Sequence, residues 1–200
     1  LGKSGLASAK YLKQRGADVL VSEYQPRDKV AEKTLKELEA HQIASEFGGH
    51  SDEAIQRAEL FLISPGIPPS APVVLKARGT GYEVISDIEL AYRELEVPII
   101  AITGTNGKST TTSLISYILE ADGKKAPACG NIGVPILSLA DQKLDFLVAE
   151  VSSFQLEYAP TFAPDIGVWL NLSPDPLDWH ADLDEYIEAK RSMFAQQKIS

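Results

Sequence analysis

The chain has 200 residues, 44% of them hydrophobic and 24% charged, with a formal net charge of −9 at pH 7. That composition belongs to a globular chain able to bury a sizeable core as one or two α/β units, and the acidic excess argues against a nucleic-acid or anionic-membrane surface. One cysteine, Cys129, excludes an internal disulfide and a multi-cysteine zinc site and suits a reducing cytoplasm, and no apolar run approaches the length of a membrane span.

The chain opens at Leu1-Gly2-Lys3-Ser4-Gly5, with neither a methionine nor a signal-peptide pattern, in what reads as the middle of a motif. A partial sequence is the expectation at this end. Gly2-x-x-Gly5 matches the tail of a dinucleotide-type G-x-G-x-x-G whose first glycine and strand would precede residue 1. Two glycines before a helix are commonplace, so a plain turn is an equal alternative. Leu6, Ala9, Leu12 and Lys13 keep helical spacing as far as Arg15, and Gly16 stops the helix. Ala17 to Ser22 reads as a strand ending at Glu23, the place where such a fold meets a ribose or base. Asp28 to His41 predicts a charged amphipathic helix with Val30, Leu35 and Leu38 inward. A strand over Ile43 to Phe47, a helix over Ser51 to Ala58 and a strand over Glu59 to Ile63 follow. The last runs into Ser64-Pro65-Gly66-Ile67-Pro68-Pro69, a rigid loop at the carboxyl end of a parallel strand, where open α/β sheets bind ligands. Pro72 to Arg78 reads as helix, Tyr82 to Ser86 as strand and Asp87 to Arg93 as helix. Glu94-Leu95-Glu96 is the expected link to a second unit, and the βα alternation on both sides predicts two doubly wound halves.

The second unit starts with Val97 to Ile102, an apolar and partly β-branched run that reads as a buried parallel strand. It breaks at Thr103-Gly104. Lys108-Ser109-Thr110 then opens a helix whose Leu114, Ile115, Ile118 and Leu119 are expected on one face. Strand, glycine loop and helix N-terminus together make an anion site, because backbone N–H groups point outward and the helix dipole favours negative charge. Lys108 is placed for the β- and γ-phosphates of a nucleotide and the Ser109 hydroxyl for Mg²⁺. The motif has the shorter form G-T-N-G-K-S, since Ile102 stands where the common P-loop pattern has its first glycine. A glycine turn with a solvated lysine is the alternative, and the order of strand, loop and helix speaks against it. Lys125 to Ala128 leads into a second glycine loop, Cys129-Gly130-Asn131-Ile132-Gly133. Phe146 to Val151 is an apolar strand carrying one charge, Glu150, near its end. A carboxylate there is costly unless it is paired or meets a cation, which makes it a candidate Mg²⁺ contact; an exposed strand-end glutamate is the plainer reading. Ile166 to Asn171 reads as another strand, Ser173-Pro174-Asp175-Pro176 as a turn, and Asp184 to Gln196 as a helix. Lys190 shares a face of that helix with Tyr186, Ile187 and Phe194, either projecting into a cleft or snorkelling to solvent.

Taken together these motifs resemble the Mur ligases of peptidoglycan synthesis, over the whole chain, and within that family the branch that adds D-glutamate. Gly104-Thr105-Asn106-Gly107-Lys108-Ser109-Thr110 is similar to the ATP loop of a superfamily that also includes folylpolyglutamate synthase. The branch is marked by SPGI at 64–67, SDIEL at 86–90, GNIG at 130–133 and EVSSFQLE at 150–157. The resemblance implies a Rossmann-like UDP-binding domain over residues 1–93, lacking its first strand. The first part of a P-loop ATP-binding α/β domain would follow over residues 97–200, with a third, amino-acid-binding domain absent. It also implies that Ser4, Gly5, Glu23, Ser64, Pro65 and Gly66 hold the uridine diphosphate, and that Asn131 and Ser152 lie along the muramoyl part. Residues 104–110 would hold ATP, with Lys108 catalytic and Ser109 and Glu150 on magnesium. Lys190, in EYIEAKRSMF, matches the family lysine that CO₂ carbamylates into an anionic ligand of a second Mg²⁺. The implied partners are UDP-N-acetylmuramoyl-L-alanine, D-glutamate and ATP, acting on a cytoplasmic monomer with no nucleic-acid or membrane partner.

The sequence departs from the family pattern in one stretch. Where the family has N-x-[ST]-x-D-H-L-D-R-H, this chain has Pro176 for the first histidine and Trp179 for the arginine, keeping His180. Proline offers no lone pair to a metal, so the second Mg²⁺ is expected to be weakly held. A non-catalytic nucleotide-binding remnant of the family is therefore a competing reading, as is another polyglutamate-adding ligase, which SPGI and SDIEL speak against.

Overall fold

The computed structural model describes residues 1–173 and 182–195. By its internal contacts the chain divides into two compact units, Leu1–Ile85 and Ser86–Ser200.

In the first unit strands and helices alternate as α1 (Lys3–Gln14), β1 (Leu20–Glu23), α2 (Glu32–Ala40), β2 (Ala44–Phe47), α3 (Asp52–Arg57), β3 (Leu60–Leu62), α4 (Pro72–Gly79) and β4 (Glu83–Ile85). The strands form two separate parallel pairs, β1 with β2 and β3 with β4. Ala9 of α1, Val21 of β1, Leu38 of α2 and Ile43 form a buried apolar cluster, with Leu1, Leu6, Val19 and Phe47 packed against it. Proline at the first turn of α4 suits a position whose N–H has no intrahelical partner. Ser51 caps α3, its hydroxyl accepting the Ala54 N–H at 3.1 Å. The helix expected over Asp28 to His41 is divided: Arg27–Lys29 form a 3₁₀ turn, and α2 starts only at Glu32. Val30 and Ala31 between them are extended (ψ 135° and 131°), so Leu38 alone of the three expected apolar positions is fully buried.

In the second unit α5 (Asp87–Glu94) precedes β5 (Ile99–Thr103), α6 (Lys108–Ala121), β6 (Ala128–Gly130), β7 (Leu147–Glu150), α7 (Ser153–Leu156), β8 (Ile166–Trp169) and α8 (Leu183–Ala195). One sheet runs in the order β6-β7-β5-β8 with every pair parallel, and β5 at its centre is buried throughout. A strand buried on both faces must be apolar along its whole length, which is why Ile99-Ile100-Ala101-Ile102 shows no alternation. Helix α5, expected with the first unit, goes with the second. Its Asp87 and Glu89 carboxylates accept from Gln155 Nε2 at 2.9 Å and from the Thr161 N–H at 3.1 Å, and Tyr92 meets the Phe162 ring edge-on.

Helix α6 packs differently from its apolar pattern. Ile115 and Leu119 meet the core cluster of Ile100, Ile102, Ala126 and Val148, whereas Leu114 and Ile118 are exposed. The inward stripe is completed by the small polar residues Thr112 and Ser116, and the Ser116 hydroxyl donates to the Ala126 carbonyl at 2.7 Å. A buried hydroxyl with a backbone acceptor costs little to bury, which accounts for Ser116; the buried Thr112 hydroxyl has no such partner among the described residues.

Cys129 is fully buried in β6, its Sγ 3.6 Å from the Val148 carbonyl. Burial, and secondarily the negative charge of Asp87, push its thiol up to about 12. The thiol therefore stays protonated at pH 8, and only the thiolate is nucleophilic. A thiol-reactive chromogenic disulfide should leave Cys129 untouched in the native protein and modify it fully in denaturant. Native labelling within minutes would contradict this burial.

Candidate functional site

Thr103 ends β5, and the loop that follows turns on two glycines in conformations L side chains rarely adopt, Gly104 (φ 151°) and Gly107 (φ 82°). A Cβ on Gly104 would also lie 3.2 Å from the Leu170 side chain. Gly107 caps α6, and Lys108, Ser109 and Thr110 form its first turn. Among the described residues no acceptor meets the N–H groups of Gly107, Lys108, Ser109 and Thr110. They form the open, positively polarised end of a 14-residue helix, suited to an anion.

The loop is braced from the segment after β8. Asn171 Oδ1 accepts the Asn106 N–H at 3.0 Å and its Nδ2 donates to the Asn106 carbonyl at 2.9 Å, while its own carbonyl accepts the Thr105 N–H at 3.2 Å. The Thr105 hydroxyl lies 3.1 Å from the Ser173 N–H and 3.1 Å from the Tyr186 hydroxyl of α8. Asn171 entered the sequence reading as the end of a strand, which stops at Trp169, and its bracing role has no local signature.

Lys108 turns back on the loop, its ammonium donating to the Gly104 and Thr105 carbonyls at 2.9 Å each. Its charge thus sits over the loop that the helix end faces. Glu150 is 2% exposed at the end of β7, so the exposed strand-end alternative does not hold. Its Oε2 accepts from the Ser109 hydroxyl at 2.7 Å and its Oε1 from Asn131 Nδ2 at 3.0 Å. No cationic side chain among the described residues pairs with it. A buried carboxylate served only by neutral donors, beside a hydroxyl, is a hard-oxygen set of the kind Mg²⁺ takes. No group of three or more His, Cys, Asp and Glu residues gathers among the described residues, so phosphate oxygens and water would complete such a site.

Lys190 of α8 is 1% exposed, and its ammonium is buried rather than snorkelling. It donates to the Thr103 hydroxyl and to the Gly104 carbonyl at 3.2 Å each and lies 4.5 Å from the centre of the Tyr186 ring. Lys108 and Lys190 therefore share the Gly104 carbonyl. Ser152 caps α7: its hydroxyl accepts the Gln155 N–H at 3.3 Å and donates to Gln155 Oε1 at 3.1 Å, and Gln155 is anchored on Asp87. Two stretches read separately in the sequence, SDIEL and EVSSFQLE, are thus one buried hydrogen-bond network. Pro176, Trp179 and His180 lie outside the described residues.

In the first unit Ser4 and Gly5 form the first turn of α1. A Cβ on Gly5 would sit 3.3 Å from the Ser64 hydroxyl, so its absence lets the helix end close on the Ser64-Pro65-Gly66 loop, which turns on an Ile67 N–H to Ser64 carbonyl bond of 3.1 Å. Glu23 ends β1, where its carboxylate accepts the Gln25 N–H at 2.9 Å.

Comparison with known proteins places both units. Residues 102–200 match the family described as Mur ligase middle domain, and residues 1–86 the family described as Mur ligase MurD-like, N-terminal domain. The UDP-N-acetylmuramoylalanine–D-glutamate ligase of Acidobacterium capsulatum is 43% identical over 199 residues, 98% of this chain and 43% of that protein. The enzyme of the same name from Nostoc sp. is 42% identical over 202 residues, 100% of this chain and 44% of that protein. The chain thus spans less than half the length of these relatives. Among solved structures, the UDP-N-acetylmuramate:L-alanyl-gamma-D-glutamyl-meso-diaminopimelate ligase from Neisseria meningitides superposes with a TM-score of 0.59 at 21% identity, over 98% of this chain and 65% of that one. The UDP-N-acetylmuramate-alanine ligase of Thermotoga maritima gives 0.53 at 21% identity, over 96% of this chain and 45% of that one. At these identities the two structures speak for the fold alone.

Gly130 tests the geometry around Glu150. It has φ 91°, and a Cβ there would lie 2.4 Å from the Glu150 carbonyl oxygen. Gly130→Ala should cost about 2–4 kcal/mol, combining left-handed strain with overpacking against backbone. Gly79→Ala, at a helix end with nothing within 4 Å of the new methyl, should be neutral or slightly stabilising. Thermal melts of both variants check the contrast, and equal melting temperatures would refute the close approach.

Proposed function

The chain belongs to the Mur ligase family, and from that premise we propose that it carries the UDP-substrate and nucleotide sites of an ATP-dependent ligase joining D-glutamate to UDP-N-acetylmuramoyl-L-alanine. The observation that carries the reading is the Ser109–Glu150 pair, 2.7 Å apart at the foot of the glycine loop, where a nucleotide's phosphates and their cation would meet. The relatives' printed names support the substrates.

In this reading the N–H groups of residues 107–110 and the Lys108 ammonium receive the β- and γ-phosphates of ATP. Lys108 would exchange its two loop carbonyls for phosphate oxygens, and Ser109 and Glu150 would hold Mg²⁺. The metal, when bound, neutralises charge on the transferring phosphoryl group. The L-alanyl carboxylate oxygen attacks the γ-phosphorus and ADP leaves. The D-glutamate amine then attacks the carbonyl carbon of the acyl phosphate, losing a proton as phosphate departs and the amide forms. Activation is needed because a carboxylate oxygen is a poor leaving group until it is phosphorylated. Residues 104–110 thus serve binding and electrostatic stabilisation, which is most of what phosphoryl transfer asks of a protein.

Lys190 would enter as the carbamate on a second Mg²⁺, which replaces a buried cation by an anion beside Thr103 and Gly104. In the first unit the α1 end at Ser4 and Gly5, the Ser64-Pro65-Gly66 loop and Glu23 would hold the uridine diphosphate, the helix end supplying N–H groups to phosphate. Asn131 and Ser152 would lie along the muramoyl arm. Peptidoglycan precursor synthesis follows from these substrates, and with it a cytoplasmic setting. No helix among the described residues is long and apolar enough to cross a membrane.

Calorimetry with ADP and Mg²⁺ on the wild-type chain and Lys108→Ala checks the nucleotide site. Loss of a charged hydrogen-bond donor should weaken binding about 10- to 100-fold, with little change in melting temperature. Equal affinities would remove Lys108 from the phosphate site. The companion measurement uses UDP-N-acetylmuramoyl-L-alanine, which should release or absorb heat with the wild-type chain and bind more weakly to Gly5→Val, whose side chain fills the gap before Ser64. A folded wild-type chain that binds no UDP substrate would refute the first-unit assignment.

A further inference from the structure

Asn131 lies in the glycine loop after β6 and meets Glu150, at the end of β7, with both its backbone and its side chain. Its N–H donates to the Glu150 carbonyl at 2.9 Å, and its Nδ2 donates to Glu150 Oε1 at 3.0 Å. The main chain beside it comes so close to Glu150 that only a glycine fits at 130. We propose that Asn131 is a positioning residue, whose side-chain amide fixes the Glu150 carboxylate with Oε2 turned to Ser109. The inference rests on the nucleotide reading above and adds to the muramoyl contact expected of Asn131 a second role on the cation side.

The physical case begins with the carboxylate itself. The terminal torsion of a glutamate is broad and nearly two-fold, so backbone packing alone does not say which oxygen faces which neighbour. Two donors on opposite oxygens remove that freedom: Ser109 on Oε2 and Asn131 on Oε1. An ionised carboxylate accepts hydrogen bonds and donates none, so the NH₂ of Asn131 must face it and the carbonyl oxygen must face away. The amide orientation is therefore set by chemistry. Asn131 is itself exposed, while the group it orients is 2% exposed. It can thus hold Glu150 from the surface side with its own Oδ1 directed away from the carboxylate. Cation binding would take over Oε2 together with the Ser109 oxygen and leave the Asn131 bond in place. Asn131 would then act in both situations, limiting the reorganisation that metal binding demands.

The test reads the cation rather than turnover. ADP binding to the intact chain is titrated against Mg²⁺ for wild type, Asn131→Ala and Asn131→Gln, with a parallel series in EDTA. Removing an orienting partner of a metal ligand costs about 10–100-fold in metal affinity, so Asn131→Ala should move the Mg²⁺ midpoint up by about 10-fold or more. Its affinity for metal-free ADP should stay within about two-fold of wild type. Asn131→Gln, which keeps the amide on a longer arm and keeps the site filled, should fall between the two. It also serves if the alanine variant does not fold. An unshifted midpoint in whichever variant folds overturns the proposal. So does an equal loss with and without Mg²⁺, which would make Asn131 a nucleotide contact or a structural residue. A wild-type chain that binds no ADP at any Mg²⁺ concentration overturns the nucleotide reading and this inference with it, an outcome distinct from equal midpoints.

Discussion

A carboxylate buried at the end of a parallel strand organises the second unit. Glu150 cannot be left without partners at 2% exposure, because an unpaired charge in a low-dielectric interior costs several kcal/mol or more. Everything near it is arranged to supply them. The register of β7 on β5 sets Ile102 opposite Glu150, two residues before Gly104, and the register of β6 on β7 sets Gly130 opposite it on the other side. Ser109 then approaches from the first turn of α6 and Asn131 from the turn after β6. A side chain at 130 would press on the Glu150 backbone. The acidic residue, the helix end and the second glycine loop are thus one hydrogen-bonded unit.

The glycine loop is held from outside itself. Loop residues that bind phosphate must keep their N–H groups free, so they cannot be stabilised by the bonds that stabilise helices and strands. Here Asn171 takes the Thr105 and Asn106 N–H groups and the Asn106 carbonyl, leaving those from Gly107 onward for a ligand. Thr105 gathers Ser173 and Tyr186, and Lys190 closes the same corner from α8 by sharing the Gly104 carbonyl with Lys108. Such bracing fixes donors before a ligand arrives, which lowers the reorganisation needed to stabilise developing charge.

The first unit is built on a different principle. Its groups of interest are half-buried or exposed and lie at the ends of short parallel pairs, and they are brought together by a missing side chain at Gly5 rather than by a buried charge.

Most of this architecture is written locally. The continuous apolar run at 97–102, the glycines at 104 and 107 and the Lys-Ser-Thr helix start determine the strand–loop–helix unit by sequence alone, since each rests on local backbone geometry. The alternation of strands and helices likewise determined the α/β class, because period and turn chemistry are properties of neighbouring residues. Tertiary structure decided the rest. The inward stripe of α6 runs through Thr112 and Ser116, which no apolar periodicity would choose, because a partner carbonyl on the chain before β6 satisfies the Ser116 hydroxyl. Helix α5 joined the second unit because the donors for its buried acids lie at residues 155 and 161, far along the chain. Lys190 lost its freedom to snorkel once Thr103 and Gly104 stood beside it. Asn131 acquired Glu150, and Asn171 acquired the loop, through strand registers that bring distant residues to one level of the sheet. A hydrogen bond between residues 19 or 65 positions apart leaves no periodic trace in the sequence, so only the folded chain can assign it.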